Sequence, residues 1–142
     1  MALQSLPCYC ATIRQAARAV TTLYEEALSG SGLHATQFTA LQLMESVPNL
    51  STSEIADAIG IDQTTATRTL ALVRKAGLAK ENFGTDRRER RWALTSSGQA
   101  TLRRVSPKWE AAQAAFEKRV GRAEATRLKE ASYLVAHKLA GS

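Results

Sequence analysis

Apolar and polar positions alternate with a helical period through most of the chain, and the sharpest pattern lies between Ser51 and Gly98. Ser51-Thr52-Ser53-Glu54 reads as a helix start, in which the Ser51 hydroxyl accepts from the Glu54 amide and the Glu54 carboxylate returns to the amide of Ser51. Ile55, Ala56 and Ile59 then form one apolar face, and Gly60 stands where the chain must turn tightly. Asp62 opens a second helix, whose Ala66, Leu70 and Val73 recur at helical spacing while Gln63, Thr64, Thr67 and Arg68 point elsewhere. Two short helices, a small residue at the crossing and a polar outer face on the second predict a helix-turn-helix.

After Gly77, the segments Leu78 to Phe83 and Arg90 to Leu94 read as two short strands around Gly84-Thr85-Asp86-Arg87-Arg88-Glu89, a hairpin of the kind called a wing. From Arg68 to Arg104 there are ten basic and three acidic residues. That net +7 exceeds the +6 of the whole chain, so the excess positive charge is concentrated here. Basic charge on a hairpin beside a helix is the footprint of a surface that tracks phosphates. Without the preceding helices, a solvated charged face is the plainer meaning.

Three helical stripes flank this segment. Ile13, Ala16, Ala17, Val20, Leu23, Tyr24, Ala27 and Leu28 share one face of an N-terminal helix. A second region carries Leu102, Val105, Trp109, Ala112 and Phe116, with Pro107 expected to bend or break it, and a third carries Leu128, Ala131, Val135 and Leu139. Single helices cannot bury such stripes alone, so these pack together or against another chain.

The chain resembles the MarR family of bacterial winged-helix transcription regulators over nearly its whole length. Gly32-Leu33, Thr36-Gln37-Phe38 and Leu41 are similar to the family's second helix, and Leu70-Ala71-Leu72-Val73-Arg74-Lys75-Ala76-Gly77-Leu78 to the end of its recognition helix. Asp86-Arg87-Arg88 with Leu94-Thr95-Ser96-Ser97-Gly98 resembles its wing signature. The resemblance implies a mainly α fold with a small β-hairpin wing, a winged helix-turn-helix with N- and C-terminal dimerisation helices. On that pattern residues 1–142 are one domain, with 1–32 and 99–142 as dimerisation helices and 33–98 as the DNA-binding region. A two-fold homodimer places two recognition helices about one DNA turn apart, matching a palindromic operator with half-sites roughly 10 base pairs apart.

Gln63, Thr64, Thr67 and Arg68 are the base-contact candidates on double-stranded DNA, Arg68 being equally suited to phosphate. Ser51, Thr52 and Arg74 suit phosphate contacts, and Arg87 adds to the basic wing. Arg88 matches the family position that enters the minor groove, where a rigid, weakly hydrated guanidinium fits the narrow negative channel. Asp86 matches the acidic residue that orients it, and serves equally as a turn-stabilising side chain.

The resemblance also implies an effector, often a small aromatic acid. It sets Arg18 as a cation for the ligand carboxylate, with Tyr24, Ala35 and Phe38 as walls; a salt bridge from Arg18 to Glu25 or Glu26 is the competing reading. One branch of the family senses hydroperoxides through a cysteine, and Cys10 stands at that position, with Cys8 two residues before it. That branch uses two tyrosine hydroxyls where this chain has Ala35 and Phe38. A thiol with neither such donors nor a cationic neighbour reacts slowly, so both cysteines are read first as packing residues near the dimer interface and second as a redox switch.

At 142 residues and 44% hydrophobic content the chain supports one packed domain. It carries no stretch of transmembrane length and no secretory signal, which sets a cytoplasmic expectation with reduced thiols. Cys8, Cys10, His34 and His137 lack a metal-ligand spacing, so neither metal nor cofactor is expected. No phosphate loop, nucleophile elbow or His/carboxylate motif occurs, which argues against an enzyme. The remaining rival is a protein that coats DNA through phosphates without choosing a sequence.

Overall fold

A computed structural model describes residues 2–83 and 90–141. Among them the elements are α1 (Tyr9–Leu28), α2 (Ala35–Ser46), β1 (Leu50–Ser51), α3 (Thr52–Ile59), α4 (Gln63–Lys75), β2 (Ala79–Phe83), β3 (Arg90–Leu94), α5 (Ser96–Val120) and α6 (Arg122–Ala140). The chain divides into two compact units, Leu28–Pro107 and a discontinuous unit of Met1–Ala27 with Lys108–Ser142.

In the Leu28–Pro107 unit, the two helix starts read from sequence are built as their chemistry requires. Ser51 Oγ accepts from Glu54 N at 3.1 Å and Glu54 Oε1 accepts from Ser51 N at 3.2 Å. Asp62 Oδ1 accepts from Thr65 N at 2.8 Å. Gly60 ends α3 at φ +74°, a left-handed conformation that costs a side-chain-bearing residue about 1–2 kcal/mol. The core gathers Phe38, Leu41, Ile55, Leu70, Val73 and Val105, each at most 1% exposed. The apolar faces of α2, α3 and α4 therefore meet one another and the sheet, and Leu102 and Val105 of α5 are buried in the same unit.

The sheet has three antiparallel strands in the order β1-β3-β2, so a third strand joins the two expected. Leu50 pairs with Trp92 and Ser51 with Arg91, while β2 and β3 run in register from Ala79 opposite Leu94 to Phe83 opposite Arg90. Gly98 lies close under this sheet: a Cβ there would stand 2.1 Å from the Leu78 carbonyl oxygen.

The helix carrying Pro107 is continuous from Ser96 to Val120, so of the expected bend or break, the break does not occur. Proline removes one backbone donor, a local cost of about 3 kcal/mol. Here Leu102 and Val105 before it and Ala112 after it are buried, so packing holds the helix on both sides.

In the other unit only Ala112 and Ala125 are buried among the described apolar residues. Tyr24 donates its phenolic proton to Gln113 Oε1, joining α1 to α5. Burial first, and the Glu117 carboxylate second, push the Tyr24 phenol above its ordinary pKa. Beside it lies a cavity of 530 Å³ lined in part by Phe116, Lys129, Glu130 and Tyr133. Large apolar side chains remain exposed along α1 and α6, among them Ile13, Leu134, Val135 and Leu139.

Candidate nucleic-acid interface

The first two turns of α4 present a polar outer face. Gln63, Thr64, Thr67 and Arg68 are all exposed, whereas Ala66, Thr69, Leu70 and Val73 on the opposite side are buried. Hydrophobic periodicity thus turns the helix so that its four base-contact candidates share the outer surface. Their hydrogen-bonding ends are partly committed. The Thr67 hydroxyl donates to the Gln63 carbonyl at 2.9 Å, leaving its methyl and an oxygen lone pair outward. The Ser53 hydroxyl, from the first turn of α3, donates to Gln63 Oε1 at 3.2 Å.

The proposed phosphate contacts occupy the start of α3 and the end of α4. Ser51 is engaged in its capping box, and Thr52 Oγ1 accepts from the Trp92 indole N–H at 2.9 Å. Arg74 forms an ion pair with Glu81 on β2, and Arg90 Nε lies 3.7 Å from the other oxygen of the same carboxylate. Glu81 is only 10% exposed, so one sheltered carboxylate draws two cations of the basic surface toward the sheet. Arg91 Nη1 binds Glu54 Oε1 at 3.0 Å, extending the capping box of α3 into β3. Cap bonds from Ser51, reinforced by Arg91, hold the Glu54 carboxyl below its ordinary pKa; bonds from Thr65 do the same for Asp62.

Asp86, Arg87 and Arg88 lie outside the described residues. Sequence reading missed Trp92, Ser53 and Glu81, whose parts depend on partners 7 to 40 positions away. The alternation of β3 marks Trp92 as inward-facing, but no local pattern names Thr52 as its partner.

The residues assigned to an effector are not all alike. Arg18 is exposed on α1 and Tyr24 lines the cavity of its unit, while Ala35 and Phe38 belong to the other unit. Phe38 is 1% exposed and serves as core, since the apolar face of α2 turns it inward. The cysteines, read first as packing residues near a dimer interface, are not packed within the single chain. Both thiols are exposed in the chain, Cys8 Sγ accepts from Ala11 N at 3.4 Å, and Cys10 Sγ accepts from Arg14 Nη2 at 3.4 Å. The absent cation is therefore present, one helical turn along.

A reading helix with a polar outer face, set against a second short helix and a three-stranded antiparallel wing sheet, defines a winged helix-turn-helix DNA-binding protein. The MarR family model matches residues 31–89. MosR, a transcriptional regulator of M. tuberculosis solved in complex with DNA, is 34% identical, with a TM-score of 0.81 over 94% of this chain and 97% of that one. The uncharacterized HTH-type transcriptional regulator YwoH of Bacillus subtilis (strain 168) is 25% identical over 96 residues, 68% of this chain and 70% of that protein. Bordetella bronchiseptica BpsR, whose DNA binding is regulated by 6-hydroxynicotinic acid, shares the fold at 20% identity, with a TM-score of 0.78 over the whole of both chains. The chain belongs to the MarR family: it is a DNA-binding transcription regulator and not an enzyme. Among the described residues no helix is long and apolar enough to cross a membrane.

Proposed function

We propose that the protein is a repressor that binds a palindromic operator as a homodimer and leaves it when a small aromatic or phenolic acid binds. The observation that carries the sequence-specific part is the outward face of α4, where Gln63, Thr64, Thr67 and Arg68 lie exposed on a helix whose other side is core. A protein that only coats DNA needs cations there and has no use for amide and hydroxyl groups aimed at base edges. In this reading Arg88 of the wing enters the minor groove, oriented by Asp86, Arg87 adds to the basic wing, and Ser51, Thr52 and Arg74 lie on phosphates.

The homodimer is supported by the apolar side chains of α1 and α6, Ile13, Leu128, Leu134, Val135 and Leu139, which are 41–71% exposed in the single chain. Covering such side chains contributes about 1.5–3 kcal/mol each when burial is complete. Residues 1–32 and 99–142 act as the dimerisation helices. For the effector, Arg18 offers an exposed guanidinium to a carboxylate and Tyr24 a ring beside a cavity; BpsR, which shares the fold, responds to an acid of this class. Selection from random duplexes tests the operator. Recovery of a common inverted repeat supports the reading, and recovery of no common sequence rejects it. Calorimetry with aromatic acids on wild type and Arg18→Ala tests the effector: binding that ignores the substitution removes Arg18, and binding indifferent to operator DNA removes the regulation.

A second reading, a regulator that responds to oxidants through Cys10 with Cys8 nearby, is favoured by the Arg14 guanidinium on the Cys10 sulfur. Stoichiometric hydroperoxide then releases wild type from DNA and leaves Cys10→Ser bound. Equal retention of both proteins on the operator rejects it.

A further inference from the structure

The bond between Ser53 and Gln63 has a consequence for which bases the protein selects. A glutamine amide has two different ends, an oxygen that only accepts and a nitrogen that only donates. The Ser53 hydroxyl lies 3.2 Å from Gln63 Oε1 and holds the accepting end toward α3. The adjacent Asp62 carboxylate is turned to Thr65, Oδ1 accepting from its amide at 2.8 Å and Oδ2 from its hydroxyl at 2.9 Å, and takes no bond from Gln63. The Gln63 carbonyl oxygen accepts from Thr67 at 2.9 Å. Among the described residues, the two Nε2 protons of Gln63 have no acceptor, and the side chain is exposed at the start of the reading helix.

We infer that Ser53 is a positioning residue for base selection, because it orients Gln63 to present two N–H donors to the major groove. Donors fit the acceptor edges of guanine, N7 and O6, and of thymine, O4. Adenine is disfavoured, since its two-point pairing with glutamine uses N6–H as donor and needs Oε1 facing the base. Ser53 itself touches no base. This rests on the reading that Gln63 faces base edges, and it adds which edges.

The test uses the full-length protein and the duplex recovered by selection, with all four bases placed in turn at each position. Binding is measured for wild type, Gln63→Ala, Ser53→Ala and Ser53→Thr. Gln63→Ala identifies the contacted position as the one where preference is lost. At that position wild type favours guanine or thymine, Ser53→Ala gains for adenine by about 5-fold or more relative to the wild-type base, and Ser53→Thr, which restores a hydroxyl, keeps the wild-type order. Ser53→Ala with the wild-type order, or with equal loss on all four bases, overturns the role of Ser53 while leaving the Gln63 contact standing. If Gln63→Ala changes preference nowhere, the base contact fails and the inference falls with it.

Discussion

The indole nitrogen of Trp92 donates to the Thr52 hydroxyl oxygen at 2.9 Å, joining the central strand of the wing sheet to the first residue of α3 across 40 positions of sequence. The same strand is held twice more: Asn49 N donates to the Trp92 carbonyl at 3.0 Å, and Arg91 pairs with Glu54. Wing and reading helices are thereby built on one scaffold. Because the Thr52 oxygen receives the indole, its proton has no acceptor among the described residues and suits a phosphate.

Removing one side of this bond should cost more than removing both. Thr52→Val leaves a part-buried indole N–H unsatisfied, a penalty of about 1–3 kcal/mol in urea unfolding. In a double-mutant cycle with Trp92→Phe, the coupling should be about 0.5–1.5 kcal/mol; strict additivity means the bond contributes nothing.

Two glycines should respond to alanine for different reasons. At Gly98 a Cβ meets the Leu78 carbonyl oxygen at 2.1 Å, a backbone atom that cannot swing away, so Gly98→Ala should cost about 3 kcal/mol or more. Gly60 has open space but φ +74°, and Gly60→Ala should cost only about 1–2 kcal/mol. Denaturant unfolding that ranks Gly60→Ala as the worse variant contradicts the packing described at Gly98.

Stability should fall on acidification through the two helix starts. Glu54 and Asp62 both titrate below their ordinary values in the folded chain, held by cap bonds from Ser51 and Thr65 respectively. A depressed folded pKa gives stability that is complete above the unfolded value, about 4, and is lost as pH drops toward the folded one. Unfolding free energy should thus decline below about pH 5, and Ser51→Ala combined with Asp62→Asn should flatten that decline. An unchanged slope in the double variant contradicts the cap assignment.

Glu81 restrains Arg74 and Arg90, so Glu81→Gln should release cations to the DNA. The slope of log K against log salt should steepen by about 0.9 for each additional phosphate neutralised, and adding Arg74→Ala to Glu81→Gln should take back one such increment. If Glu81→Gln leaves the slope unchanged, the two arginines stay on the sheet in the complex or reach no phosphate.

Local chemistry explains what was legible in the sequence. Ser51 with Glu54, Asp62, Gly60 and the apolar spacing of α4 each act within one or two helical turns, and all stand where the pattern placed them. Strand β1 escaped notice because Leu50 and Ser51 are too few to alternate and take their conformation from Trp92 and Arg91 opposite. Phe38, read as a ligand wall, is buried in the core, since an amphipathic face does not say what covers it. The pairings Trp92 with Thr52, Ser53 with Gln63 and Cys10 with Arg14 are properties of placement; only the last lies within reach of a helical i, i+4 rule.

The central claim is that two copies read one operator in fixed register, and helical phase tests it most directly. Binding should be compared on the selected duplex and on the same duplex with about five base pairs, half a helical turn, inserted between its half-sites. A rigid homodimer cannot follow both half-sites to opposite faces of the DNA, so the account predicts affinity falling to the non-specific level. Undiminished affinity for the lengthened duplex contradicts it and leaves independent monomers or a sequence-blind coat.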